Sequence, residues 1–242
     1  MSPTYCKKSH PRWLYNPLMF VLRALLATLL LARFAAAQEH VSFPTEDGGV
    51  VLADIYGKGE RGVVLAHGGR FNKESWEKQA RTLASAGFRV LALDFRGYGK
   101  SHGPGDSDPM DAPLHLDVLA AVRYLRKTGV KSVSVVGGSM GAGAAGDASI
   151  ASQPGEIARL VLLGGSPNGP AEKLTSSTLF IVARDDTSGD GPRLPRIQVQ
   201  YEKAPEPKKL IILDGSAHAQ SLFQTDQADR VMREILRFLS KK

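Results

Sequence analysis

The chain of 242 residues holds one cysteine, Cys6, and it lies within the first 37 residues. Beyond that segment there is no thiol, so disulfides, a cysteine nucleophile and a zinc–thiolate site are excluded there. Long apolar runs are also missing. The most apolar stretch, Ala24–Ala32, is bracketed by Arg23 and Arg33 and falls far short of the roughly 20 residues a membrane-spanning helix needs. Charge of one sign is scarce too, once the ends are separated. The formal net charge is +7, from 31 Lys and Arg against 24 Asp and Glu. Five of the basic residues and none of the acids fall in residues 1–37, leaving 26 against 24, a net charge of +2. That balance gives no electrostatic footprint for nucleic acid. No phosphate loop or cluster with metal-ligand spacing stands out, and no internal repeat or low-complexity linker divides the chain. Neither cofactor nor metal is implied.

Residues 1–37 read as a secretory signal peptide. Lys7, Lys8 and Arg12 form a basic start, the apolar run follows, and Ala35-Ala36-Ala37 precedes Gln38 as a small-residue cleavage site. The expectation is a mature chain from Gln38, exported to a periplasmic or extracellular location and meeting the membrane only through this segment. Arg23 interrupts the apolar stretch, and the alternative is an uncleaved N-terminal anchor.

Residues 38–242 are long enough for one α/β domain with a large core. Strand patterns fall at His40–Pro44, Val50–Tyr56, Gly62–Ala66, Phe88–Asp94, Ser132–Val136, Ile157–Leu163, Thr178–Ala183 and Lys208–Leu213. The first two flank Asp47-Gly48-Gly49, a hairpin signal. From the third onward, apolar strands alternate with helical patterns, including Ser75–Ala86, Ala112–Thr128 and Asp226–Ser240. This predicts a mostly parallel eight-stranded sheet with helices on both faces. About a dozen residues join Gly165 to Thr178, too few for a separate lid domain.

One glycine-rich stretch carries two motifs at once. Gly137-Gly138-Ser139-Met140-Gly141 fits G-x-S-x-G, and Gly141–Gly146 fits G-x-G-x-x-G. A dinucleotide site needs its first glycine at the strand end and an acid at the end of the next strand. Here Gly141 lies four residues past Gly137, where the strand ends, and the next strand ends Leu163-Gly164-Gly165-Ser166 without a carboxylate. Close packing of small residues against the sheet explains these glycines better. A nucleophile elbow fits the details, because Gly137 and Gly141 leave room for a strained turn that lifts Ser139 above the sheet.

Partners for Ser139 follow in order. His218 comes after the eighth strand, where a general base is expected, and Asp185 and Asp186 end the seventh, where the orienting acid is expected. The order Ser, Asp, His over residues 40–240 resembles that of the α/β-hydrolases. Two further blocks are similar to that family: His67-Gly68-Gly69, like its oxyanion loop, and Asp94-Phe95-Arg96-Gly97-Tyr98-Gly99-Lys100-Ser101. The resemblance implies an α/β-hydrolase fold and a serine hydrolase acting on acyl esters. Ser139 would be the nucleophile, His218 the base, and the N–H groups of Gly69 and Met140 the oxyanion hole, with Arg70 the alternative second donor. The family spacing from a small residue at the strand end, here Ala183, points to Asp186 over Asp185. His67, Arg96 and Tyr98 are read as organising loops, and Ser166 as a loop serine. The expected partner is a small-molecule acyl ester. A peptidase or acyltransferase on the same triad, or a non-catalytic binding protein, are the alternatives, and oligomeric state is not legible.

Overall fold

In the computed structural model, residues 38–241 are described. The export signal, its cleavage after Ala37 and the alternative anchor lie outside the described residues. Eight strands form one sheet: β1 (Glu39–Pro44), β2 (Val50–Tyr56), β3 (Arg61–Ala66), β4 (Phe88–Leu93), β5 (Ser132–Gly138), β6 (Arg159–Leu163), β7 (Ser177–Ala183) and β10 (Lys208–Leu213). A two-residue pair, β8 (Thr187–Ser188) and β9 (Gly191–Pro192), makes a small separate ribbon. The order across the sheet is β1-β2-β4-β3-β5-β6-β7-β10. β2 runs antiparallel to both of its neighbours, and every pairing from β4 to β10 is parallel. The sheet is therefore the mostly parallel one expected from the alternating pattern.

The apolar strands have to be covered on both faces, and two separate cores do this. Because successive side chains of a strand point to opposite faces, Val64 and Ala66 of β3 enter one core while Val63 and Leu65 enter the other. The first core is closed by α2 (Leu114–Lys127), α3 (Met140–Ala151) and α4 (Arg193–Lys203). The second is closed by α1 (Glu77–Ser85) and α5 (Ala228–Leu239). On α2 the buried stripe includes Leu114, Val118, Ala121, Val122 and Leu125, the face anticipated from helical spacing.

Several details differ from the pattern reading, among them the β8–β9 ribbon and the extension of β5 to Gly138. The helix expected over Ser75–Ala86 is a short 3-10 turn, Lys73–Trp76, followed by α1. The sixth strand begins at Arg159, two residues later than expected. Helix α4 was not anticipated, because Ile197 is its only fully buried residue and Pro195 lies within it. Pro195 is the third residue of the helix, where an N–H has no intrahelical acceptor, so its missing donor costs little.

No domain is inserted between β6 and β7, where the connection holds only a three-residue 3-10 turn, Ala171–Lys173. That connection is pinned instead. Asp147 of α3 accepts hydrogen bonds from Asn168 N, Asn168 Nδ2 and Gly169 N at 2.9, 2.8 and 2.9 Å. Gly143 and Gly146 of α3 face Asn168 and Pro167 of this loop so closely that a Cβ at either would fall within 3.0 Å of them. The small residues thus let α3 approach the loop after β6, while Gly141 packs against the end of β3.

Candidate active site

Ser139 sits between β5 and α3 at φ 53°, ψ −115°. Positive φ is costly for an L-residue, and the surroundings hold it in place. Ser139 N donates to Leu163 O at 2.9 Å, and Ser139 O accepts from Ala142 N and Gly143 N at 2.8 and 3.1 Å. The turn closes only because its flanks lack side chains. A Cβ on Gly137 would collide with Gly141 O, and one on Gly141 with Ala66 O and His67 O.

His218 ends the loop after β10. Its Nε2 lies 2.7 Å from Ser139 Oγ, and its Nδ1 lies 2.7 Å from Asp186 Oδ2. Asp186 is fully buried and Asp185 is exposed. Of the two acids, then, only Asp186 is turned inward onto the imidazole. With Nδ1 protonated toward the carboxylate, Nε2 is left to accept the serine proton. Residues 79 and 32 positions from His218 along the chain meet it here in one hydrogen-bonded line.

Gly68 and Gly69 follow β3 and lie beside this line, a Cβ on Gly68 coming within 3.3 Å of Ser139 Cβ. Met140 opens α3, so its N–H is free of intrahelical partners. Among the described residues, Gly69 N donates to no protein acceptor. Tyr98 from the loop after β4 donates its hydroxyl to Gly69 O at 2.9 Å and lies 3.7 Å from Met140 Sδ. It therefore ties the loop after β3 to the first residue of α3.

His67 is fully buried and occupied on both ring nitrogens. Phe95 N donates to Nε2 at 3.2 Å, so Nδ1 carries the proton and donates to Gly68 O at 2.9 Å. Burial pushes its pKa below the ordinary imidazole value, which suits a neutral ring that ties two loops together. Arg96 likewise organises rather than reacts. Buried completely, it pairs with Asp117 at 2.6 Å and Asp47 at 2.5 Å, and donates to Pro104 O at 3.0 Å. The Arg96 hydrogen bonds draw the Asp47 carboxyl down to about 2, while burial pushes Asp117 up despite its pairing. This cluster fastens the loop after β4 to α2 and to the β1–β2 turn. Ser166 lies in the loop after β6 and His102 Nδ1 is 3.1 Å from Lys100 O.

Two contributors escaped sequence reasoning. Gln220 accepts from Gly68 N at 2.7 Å through Oε1 and donates to Ser75 Oγ at 2.8 Å through Nε2. It is buried, and it anchors the Gly68–Gly69 loop from a position two residues past His218. Arg193, the first residue of α4, brings Nε within 3.3 Å of Asp186 Oδ1. A glutamine in a short 3-10 helix, Ala219–Gln224, or an arginine at a helix start carries no local motif, so neither was legible. A cavity of about 440 Å³ lies elsewhere, between β1–β2 and the Lys73 segment, and Ser139, Asp186 and His218 do not line it.

The sheet order, the tight turn after β5 and the position of each side chain at a strand end define one class of protein. The chain belongs to the α/β hydrolase fold family, whose model matches residues 62–205. Among relatives, it is 32% identical over 188 residues to a 2-hydroxy-6-oxononadienedioate/2-hydroxy-6-oxononatrienedioate hydrolase of Paraburkholderia phymatum, covering 74% of this chain and 60% of that protein. It is 32% identical over 121 residues to a non-heme haloperoxidase of Rhodococcus erythropolis, covering 50% of this chain and 42% of the other. The chain thus spans less than two thirds of these relatives. In fold it is similar to an esterase of Pyrococcus furiosus, with a TM-score of 0.69 at 20% identity, covering 85% of this chain and 92% of that one. An esterase from Exiguobacterium antarcticum gives 0.68 at 18%, covering 84% and 100%.

Proposed function

We propose that this protein is a serine hydrolase that cleaves small acyl esters through Ser139, His218 and Asp186. The observation that carries the reading is the continuous hydrogen-bonded line from Asp186 Oδ2 through the imidazole to Ser139 Oγ, each link 2.7 Å. His218 Nε2 takes the proton as Oγ attacks the acyl carbon, and Asp186 holds the ring and stabilises the imidazolium. The oxyanion is met by the N–H groups of Gly69 and Met140. His218 then returns the proton to the leaving alcohol oxygen; water, deprotonated by the same imidazole, attacks the acyl carbon, the Ser139 Oγ–acyl bond breaks, and the proton passes to Ser139 Oγ as the acid leaves.

Ester substrates with a compact apolar acyl group suit the surroundings best. Tyr98, Met140 and Met110 gather beside Gly69, and Met110 is 71% exposed. Without an inserted lid, nothing encloses a long chain. The basic start, apolar run and Ala35-Ala36-Ala37 of residues 1–37 support a further proposal, export with a mature N-terminus at Gln38, which intact-mass measurement of the secreted protein tests. Labelling with a fluorophosphonate probe, followed by a panel of esters of graded acyl length, tests the chemistry. Ser139→Ala should abolish labelling, and Ser166→Ala should leave it at the wild-type level. Labelling that survives Ser139→Ala would refute the assignment.

A further inference from the structure

Asp186 has two buried carboxylate oxygens, and only one of them is hydrogen-bonded. Oδ2 faces His218 Nδ1, whereas Oδ1 is buried without a hydrogen-bond donor. A buried anionic oxygen is expensive unless a charge or a donor faces it. The group that faces it is Arg193, whose Nε stands 3.3 Å away and is itself buried without any hydrogen-bond partner. The contact is an ion pair and not an aligned hydrogen bond. It is built in by the chain path: the β8–β9 ribbon turns the backbone around so that Arg193 N donates to Asp186 O at 2.9 Å. Backbone and side chain of one residue thus hold both ends of the same aspartate.

We propose that Arg193 is a positioning residue for the orienting acid, acting on the reaction only through Asp186. This inference rests on the hydrolase reading of Ser139, His218 and Asp186. The guanidinium lies on the Oδ1 side of the carboxylate, away from the imidazole on Oδ2. It holds the carboxylate turned so that Oδ2 is presented to Nδ1. A cation this close also opposes the imidazolium that forms on His218. The attraction between Arg193 and Asp186 is present before and during the reaction alike, so it adds nothing to the rate by charge alone. Arg193 raises the rate by orientation, fixing the carboxylate on its Oδ1 side so that Oδ2 stays on Nδ1.

The test is a double-mutant cycle read by the rate of fluorophosphonate labelling of Ser139 and by kcat and KM on one ester. Arg193→Met should lower kcat and the labelling rate by roughly 10- to 100-fold with KM little changed, short of the ~10⁴ loss expected for Asp186→Asn. In the Asp186→Asn background the same substitution should cost almost nothing, since the charge it serves is gone. Arg193→Lys, which keeps the cation, should recover much of the loss, and it remains informative if Arg193→Met fails to fold. A wild-type or faster rate in Arg193→Met overturns the proposal. An equal loss with and without Asp186 also overturns it, because the role would then be structural. If Asp186→Asn itself leaves labelling unchanged, the fault lies with the triad reading instead.

Discussion

Replacing Ser139 by glycine should leave a more stable protein than replacing it by alanine, against the usual ranking of the two residues. Both substitutions remove the hydroxyl and its contact with His218 Nε2, so that loss cancels in the comparison. What differs is the backbone. At φ 53°, ψ −115° a residue with a Cβ carries strain of about 1–3 kcal/mol, and glycine carries almost none. Glycine loses about 0.4–1 kcal/mol of this advantage through the greater freedom of its unfolded chain. The balance favours glycine by roughly 1 kcal/mol, which in a domain of this size raises Tm by about 2–4 °C. Urea titration of the two variants at one pH gives the difference directly, provided their m-values agree. The Ala142, Gly143 and Leu163 hydrogen bonds keep the turn in place in both proteins. An alanine variant as stable as the glycine variant, or more so, would show that the elbow stores no strain and would refute the argument.

Asp186→Asn should cost about 10⁴ in kcat by stabilising the wrong imidazole tautomer, while Asp185→Asn, at an exposed position, should change little; steady-state kinetics on both decides the ranking. Gln220→Leu should leave Gly68 N without its acceptor and let the oxyanion loop drift, lowering kcat by about 100-fold through misplacement, with stability falling by about 1–3 kcal/mol for the orphaned donor; kinetics and urea unfolding measure the two effects. Acid should weaken the fold through Asp47. Its folded-state pKa of about 2 lies below the ordinary carboxylate value of about 3.9, so its contribution is present above pH 4 and lost as pH falls toward 2. Asp47→Asn should flatten that part of the stability profile in unfolding experiments run from pH 5 to 2.

Much of this arrangement was legible in the linear chain, for reasons of short range. Strand and helix periods depend on which face of a local segment is apolar, and here each face has a core to meet. Ser139 stood out because the two glycines beside it answer a steric demand within five residues. His218 and the Asp185–Asp186 pair stood out because strand ends in a parallel sheet lie along one edge, so order along the chain becomes nearness in space. The spacing from Ala183, carried by the family resemblance, pointed to Asp186 over Asp185, and the folded loop adds the physical reason, with Asp186 buried against His218. Helix α4 was missed because it buries little apolar surface of its own.

By itself, then, the sequence determined the α/β architecture, the absence of thiol chemistry beyond residue 37, and the strand ends at which reactive groups could stand. The tertiary structure decided which groups meet, because hydrogen bonds and ion pairs act over a few ångströms while the chain separations involved run to 152 residues. Gln220 on Gly68 N and Arg193 beside Asp186 Oδ1 are of this second kind. Neither residue type nor local pattern marks them, and each acquires its role only when packing brings it against an otherwise unsatisfied polar atom.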